Sequence, residues 1–234
     1  MEKFDKPEKS VNSNSPERLN EIQEYTEIYL KKHENDFRFI QGTTSSRGFW
    51  PHLESNWMKP IKEILQEKLT GKTLIDLGCG DDDSNLPWRL KIPLGKFRAV
   101  DINPPTENNW NSDPNFPNDK TKGEWNIAGI ARMQENGIKD AAVVKEDLLR
   151  YVVNLPDKSS NFYLSAIDDH VIMEEQYWKY LVEEIARATE DGGIIIDAGV
   201  GRISEYIMKF AKEKFKTIFS ENVSEGKNIL EKIA

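Results

Sequence analysis

The chain has 234 residues, with 32 Lys and Arg against 40 Asp and Glu, for a net charge of −8. An acidic chain of this length folds as one domain, or one domain with an extension, and has no general attraction to DNA, RNA or anionic lipid. One cysteine, Cys79, excludes an internal disulfide framework, and no apolar run approaches the roughly 20 residues of a membrane span.

Residues 1–15 are polar and charged, with few apolar groups, and read as a mobile tail. The polar N-terminus does not have the form of a secretory signal, so the expected location is the cytoplasm. A helix starts at Ser15-Pro16-Glu17, with Ser15 as cap and proline in the first turn. Leu19, Ile22, Tyr25, Ile28 and Tyr29 follow helical spacing. A polar loop at 41–48 precedes a second helical region at 51–69, ended by Gly71. Residues 16–71 therefore read as an N-terminal helical cap.

From Lys72 strands alternate with helices. The predicted strands are 73–77, 97–101, 141–144, 162–167 and 193–198, several of them near-continuous apolar runs as in strands covered on both faces. Predicted helices lie at 125–136, 174–189 and 203–214. The segments 216–219 and 228–233, with Gly226 between, read as a closing hairpin. The expected fold is α/β: a doubly wound, seven-stranded, mostly parallel sheet with an antiparallel last strand, over residues 72–234. Residues 103–123, rich in Asn, Pro and Asp, are longer than the usual link after a second strand.

In such a sheet, ligands bind beyond the carboxyl ends of the strands. The first strand ends in Leu74-Ile75-Asp76-Leu77-Gly78-Cys79-Gly80 and runs into Asp81, Asp82 and Asp83. Two glycines after a buried strand make a ligand-binding turn, but three carboxylates would repel a phosphate. A nucleoside with a cationic amino-acid end suits this turn better. Strand two ends in Asp101, a residue type that takes the two hydroxyls of a ribose. Strand three leads to Asp147, strand four to Ile167-Asp168-Asp169-His170, and strand five to Asp197. Asp147 also suits the N-cap of a short helix.

The stretches LIDLGCG (74–80), AVDIN (99–103), 143–172 with Asp147 and Leu155-Pro156, and DGGIIIDAG (191–199) together resemble the class I S-adenosylmethionine-dependent methyltransferases. The resemblance covers roughly residues 72–234. It implies that Gly78 and Gly80 let the backbone approach the methionine moiety, and that Asp76 orients the loop or meets the ammonium group. It further implies that Asp101 with Ile102 holds the ribose, and that Asp147 with Leu148 reads the adenine amino group, with Ile167 also at the cofactor. Asp168, Asp169 and His170 become the candidate catalytic groups, where sulfonium and acceptor meet. A metal is not expected. The chain departs from the family pattern in having Asp82 or Asp83 in place of a third glycine, Tyr163 in place of an acid, and the long segment after Asp101.

The expected activity is methyl transfer from S-adenosylmethionine to a small-molecule acceptor, with neither nucleic acid nor membrane as partner. Two rivals stand beside it: a binding protein of the same fold that transfers nothing, and a nicotinamide-dependent oxidoreductase.

Overall fold

The structure is a computed structural model that describes residues 15–34, 59–78, 91–102, 134–135, 137–164, 174–197, 203–220 and 228–233. Seven strands form one sheet: β1 (Thr73–Leu77), β2 (Lys96–Asp101), β3 (Ala141–Lys145), β4 (Asn161–Leu164), β5 (Ile194–Asp197), β6 (Phe215–Ser220) and β7 (Asn228–Lys232). Their order is β3-β2-β1-β4-β5-β7-β6. The first five pair in parallel, and β7 runs antiparallel to both β5 and β6. The doubly wound sheet with an antiparallel last strand is therefore present. The chain steps outward from β1 to β3, then returns to add β4 on the other side of β1. The order thus reverses between β1 and β4, and in open sheets of this kind a ligand crevice opens at that reversal.

Five helices are described: α1 (Pro16–Lys32), α2 (Lys59–Leu69), α3 (Leu148–Val153), α4 (Glu175–Ala188) and α5 (Ile203–Phe210). Ser15 caps α1 as expected, its hydroxyl accepting from the Arg18 amide at 3.2 Å. The predicted helix at 51–69 is described only from Lys59, and the one predicted at 125–136 lies almost wholly outside the described residues.

The helix predicted over 203–214 stops at Phe210 and gives way to a tight turn, Lys212–Lys214. Its buried stripe, Ile203, Ile207 and Ala211, continues to the buried Phe215, which is already the first residue of β6. Helix α3, the short helix for which Asp147 suited the cap, is six residues long, too short to show a helical period in sequence.

Side-chain alternation splits the core into two layers. Ile75 and Leu77 of β1, Phe162 and Leu164 of β4 and Ile195 of β5 pack with α1, α3, α4 and α5. Leu74, Phe97, Ala99, Tyr163, Ile194 and Ile196 pack on the other face with α2. The two N-terminal helices thus sit on opposite faces of the sheet. Tyr25 and Tyr29 pack into the first layer: Tyr25 lies edge-on to Tyr180, with centroids 5.2 Å apart, and Tyr29 lies 4.5 Å from Tyr177.

Two buried polar side chains tie this frame together. Asn161, fully buried, accepts from the Ile194 amide at 2.7 Å and donates to the Thr73 carbonyl at 3.3 Å, joining β4 to β5 and β1. Arg187 donates to the carbonyls of Leu155, Val152 and Val153, at 2.8, 3.1 and 3.3 Å. These carbonyls belong to the end of α3 and the residues after it, where a helix leaves its last acceptors unsatisfied.

Candidate functional site

The carboxyl ends of β1, β2 and β3 stand side by side. Asp76 is fully buried in β1 and lies in register with Ala99 of β2 and Tyr163 of β4. By alternation it shares the sheet face of Leu74. Gly78 follows with φ +72°, a left-handed conformation that costs glycine nothing and strains other residues. Its amide donates to the Val100 carbonyl at 2.9 Å, which fixes the start of the turn against β2. The turn therefore leaves β1 through a residue with no side chain.

One strand over, Asp101 ends β2, half-buried and in register with Lys145. Its carbonyl accepts from the Glu146 amide at 3.0 Å, so the backbone of β3 is still tied to β2 where the ladder ends. Ile102, also half-buried, follows at once.

Asp147 comes next. It is the N-cap of α3, with Oδ1 accepting from the Arg150 amide at 3.0 Å. Its Oδ2 accepts from the hydroxyl of Tyr177 at 2.7 Å, and that hydroxyl in turn accepts from the Leu149 amide at 3.2 Å. Burial pushes the Asp147 carboxyl above the usual carboxylate range, while the bonds from Arg150 and Tyr177 pull it back. Burial likewise holds the Tyr177 hydroxyl well above its ordinary range. Leu148, the first residue of α3, is buried beside them.

The structure therefore brings Asp76, Gly78, Asp101, Ile102, Asp147 and Leu148 onto three neighbouring strand ends, which at about 4.8 Å per strand spacing span roughly 10 Å. Gly80, Ile167, Asp168, Asp169 and His170 lie outside the described residues, as do Cys79 and residues 103–123. Among the described residues no group of three or more His, Cys, Asp or Glu side chains is placed to hold a metal ion. No helix among them is long and apolar enough to cross a membrane.

The doubly wound, seven-stranded sheet with an antiparallel last strand is the fold that the resemblance to the class I methyltransferases implies. No family model and no curated protein matches the sequence. Solved structures of similar shape include a Streptococcus mutans protein named as a methyltransferase and solved with SAH (S-adenosylhomocysteine). It is 12% identical, with 75% of this chain and 97% of that one covered and a TM-score of 0.47. A TehB-like SAM-dependent methyltransferase from Corynebacterium glutamicum is 13% identical, with 92% and 99% covered and a TM-score of 0.44. An rRNA methylase from Streptococcus thermophilus is 16% identical, with 76% and 96% covered and a TM-score of 0.43.

Tyr177 was not among the candidate site residues. In sequence it reads as one of five apolar positions on α4, and nothing local marks its hydroxyl as a partner of a carboxylate 30 residues earlier.

Proposed function

We propose that this protein binds S-adenosylmethionine across the carboxyl ends of β1, β2 and β3, and transfers its methyl group to a small-molecule acceptor. The observation that carries the proposal is the row of Asp76 with Gly78, Asp101 and Asp147 on three adjacent strand ends beside the order reversal. The donor set fits this cofactor. Three carboxyl groups accept hydrogen bonds from hydroxyl, amino and ammonium groups and disfavour a phosphate.

When bound, S-adenosylmethionine supplies a methyl group on a sulfonium, open to in-line displacement by the acceptor. The residues of the chain have separate tasks. Gly78 turns the backbone away from β1 without a side chain in the way. Asp76 meets the ammonium end or orients the turn, Asp101 with Ile102 takes the ribose, and Asp147 with Leu148 takes the adenine edge. Gly80 and Ile167 complete the cofactor contacts. Asp168, Asp169 or His170 accepts the acceptor's proton where its nucleophile is a hydroxyl or amine. Most of the rate gain then comes from holding acceptor and cofactor in line. Residues 103–123 and the chain before β1 supply the acceptor pocket. The small-molecule assignment, and the exclusion of nucleic acid, rest on the net charge of −8.

The second reading, a protein of this fold that transfers nothing, has one observation in its favour. Both oxygens of Asp147 already accept hydrogen bonds within the protein. Thermal melting separates the readings. S-adenosylmethionine and S-adenosylhomocysteine at a hundred times their dissociation constants should each add about 2.7 kcal/mol of stability, or roughly 5–10 °C in Tm, and NAD should add nothing. A shift with NAD alone, or with none of the three, sinks the cofactor assignment.

A further inference from the structure

We infer that Tyr177 is a positioning residue for base recognition: its buried hydroxyl holds the Asp147 carboxylate in the orientation that meets the amino group of adenine. The inference rests on the cofactor reading above and adds to it a residue from a distant part of the chain.

A tyrosine hydroxyl is costly to bury. Tyr177 is 1% exposed and lies on the apolar stripe of α4, with Trp178, Leu181 and Ile185 around it. Phe or Leu would fill that place without a hydroxyl to desolvate, and a buried hydroxyl is tolerated only with partners. Here it has two, and both belong to the start of α3. It donates to Asp147 Oδ2 at 2.7 Å and accepts from the Leu149 amide at 3.2 Å. Its ring is held in turn by Tyr29 of α1, with centroids 4.5 Å apart.

The cap bond from the Arg150 amide fixes only one carboxylate oxygen. With that bond alone the carboxyl plane can still turn about it. The Tyr177 hydroxyl fixes the second oxygen and removes that freedom. An ionised carboxylate has about four lone-pair directions. Two are used inside the protein, and the remaining two are left at a set angle for an outside donor. An exocyclic amino group of a purine is such a donor, whereas a purine carrying a carbonyl oxygen there is not. Tyr177 thus sets the angle, and Asp147 makes the contact.

The test is calorimetric titration of the full chain with S-adenosylhomocysteine and with S-inosylhomocysteine, which carries a carbonyl oxygen in place of the adenine amino group. Tyr177→Phe keeps the ring and its packing. Tyr180→Phe removes another hydroxyl of α4, one that donates to Glu21 of α1, and is the control. Tyr177→Phe should lower affinity for the adenosyl ligand about tenfold and for the inosyl ligand by less than about twofold, so the preference between them collapses. Tyr180→Phe should leave the preference as it is in the wild type. Equal losses on both ligands, or an unchanged preference, would overturn the role of Tyr177 while leaving the cofactor reading in place. Wild-type protein that binds neither ligand removes the cofactor reading itself.

Discussion

Replacing Arg187 by methionine lowers the free energy of unfolding by about 3–5 kcal/mol, the usual cost of removing one partner of a buried ion pair. Few side chains in this fold carry as many obligations. The guanidinium, with only 7% of its side chain exposed, pairs with Glu184 at 2.6 Å, itself 1% exposed, and with Asp157 at 2.6 Å. It also satisfies the three carbonyls at the end of α3. Methionine keeps much of the length and none of the donors, so the Leu155 and Val153 carbonyls and the Glu184 carboxyl lose a partner in a dry environment, while the Val152 carbonyl keeps the Leu155 amide. Burial already holds Glu184 above the usual carboxylate range, against the pull of Arg187. The variant therefore also folds with Glu184 displaced further upward. Changing Glu184 to leucine in the same chain should recover most of the loss, because an apolar pair of similar volume often replaces a buried ion pair at little net cost. Equilibrium unfolding in urea measures both variants. A loss under about 1 kcal/mol for Arg187→Met, within the range of an exposed ion pair, would show that solvent reaches the site.

If Asp101 holds the ribose as proposed, Asp101→Ala should weaken binding of S-adenosylhomocysteine by about 3 kcal/mol, roughly a hundredfold, through loss of charge-assisted hydrogen bonds to the ribose hydroxyls. The fold should be spared. The link between β2 and β3 at this position is made by the Asp101 carbonyl and the Glu146 amide, and alanine retains that carbonyl. Asp101→Asn keeps two polar atoms but loses the charge and one acceptor, and should fall between wild type and alanine. Calorimetry reads the affinities, and a melting curve checks the fold. Unchanged affinity in a folded alanine variant would remove Asp101 from the ribose.

Much of the frame was legible in the residues because burial on both faces leaves a plain mark. Leu74 to Leu77, Phe97 to Val100 and Ile194 to Ile196 are near-continuous apolar runs, and each is a strand of the parallel sheet. The turn at Gly78 was legible because glycine after a buried strand has few other uses. What escaped the sequence depends on residues far apart along the chain. Helix α3 is too short to announce itself by period, and its two ends are held by Tyr177 and Arg187 of α4. Tyr177 looked like one more member of an apolar stripe, since the stripe predicts the ring and says nothing of the hydroxyl. Asp147 was legible as a cap, and its cap bond is present. The placement of α1 and α2 on opposite faces was also hidden, because an amphipathic helix states that it has a buried face but not against which layer.

If one ligand, an adenosyl amino acid, lies across the ends of β1, β2 and β3 as proposed, a crystal structure of the protein with S-adenosylhomocysteine should show the amino-acid arm at the turn after Gly78, the ribose hydroxyls on Asp101, and the adenine amino group within hydrogen-bond distance of Asp147. Ligand seated elsewhere on the fold, or crystals grown at saturating ligand with the three strand ends empty, would contradict it.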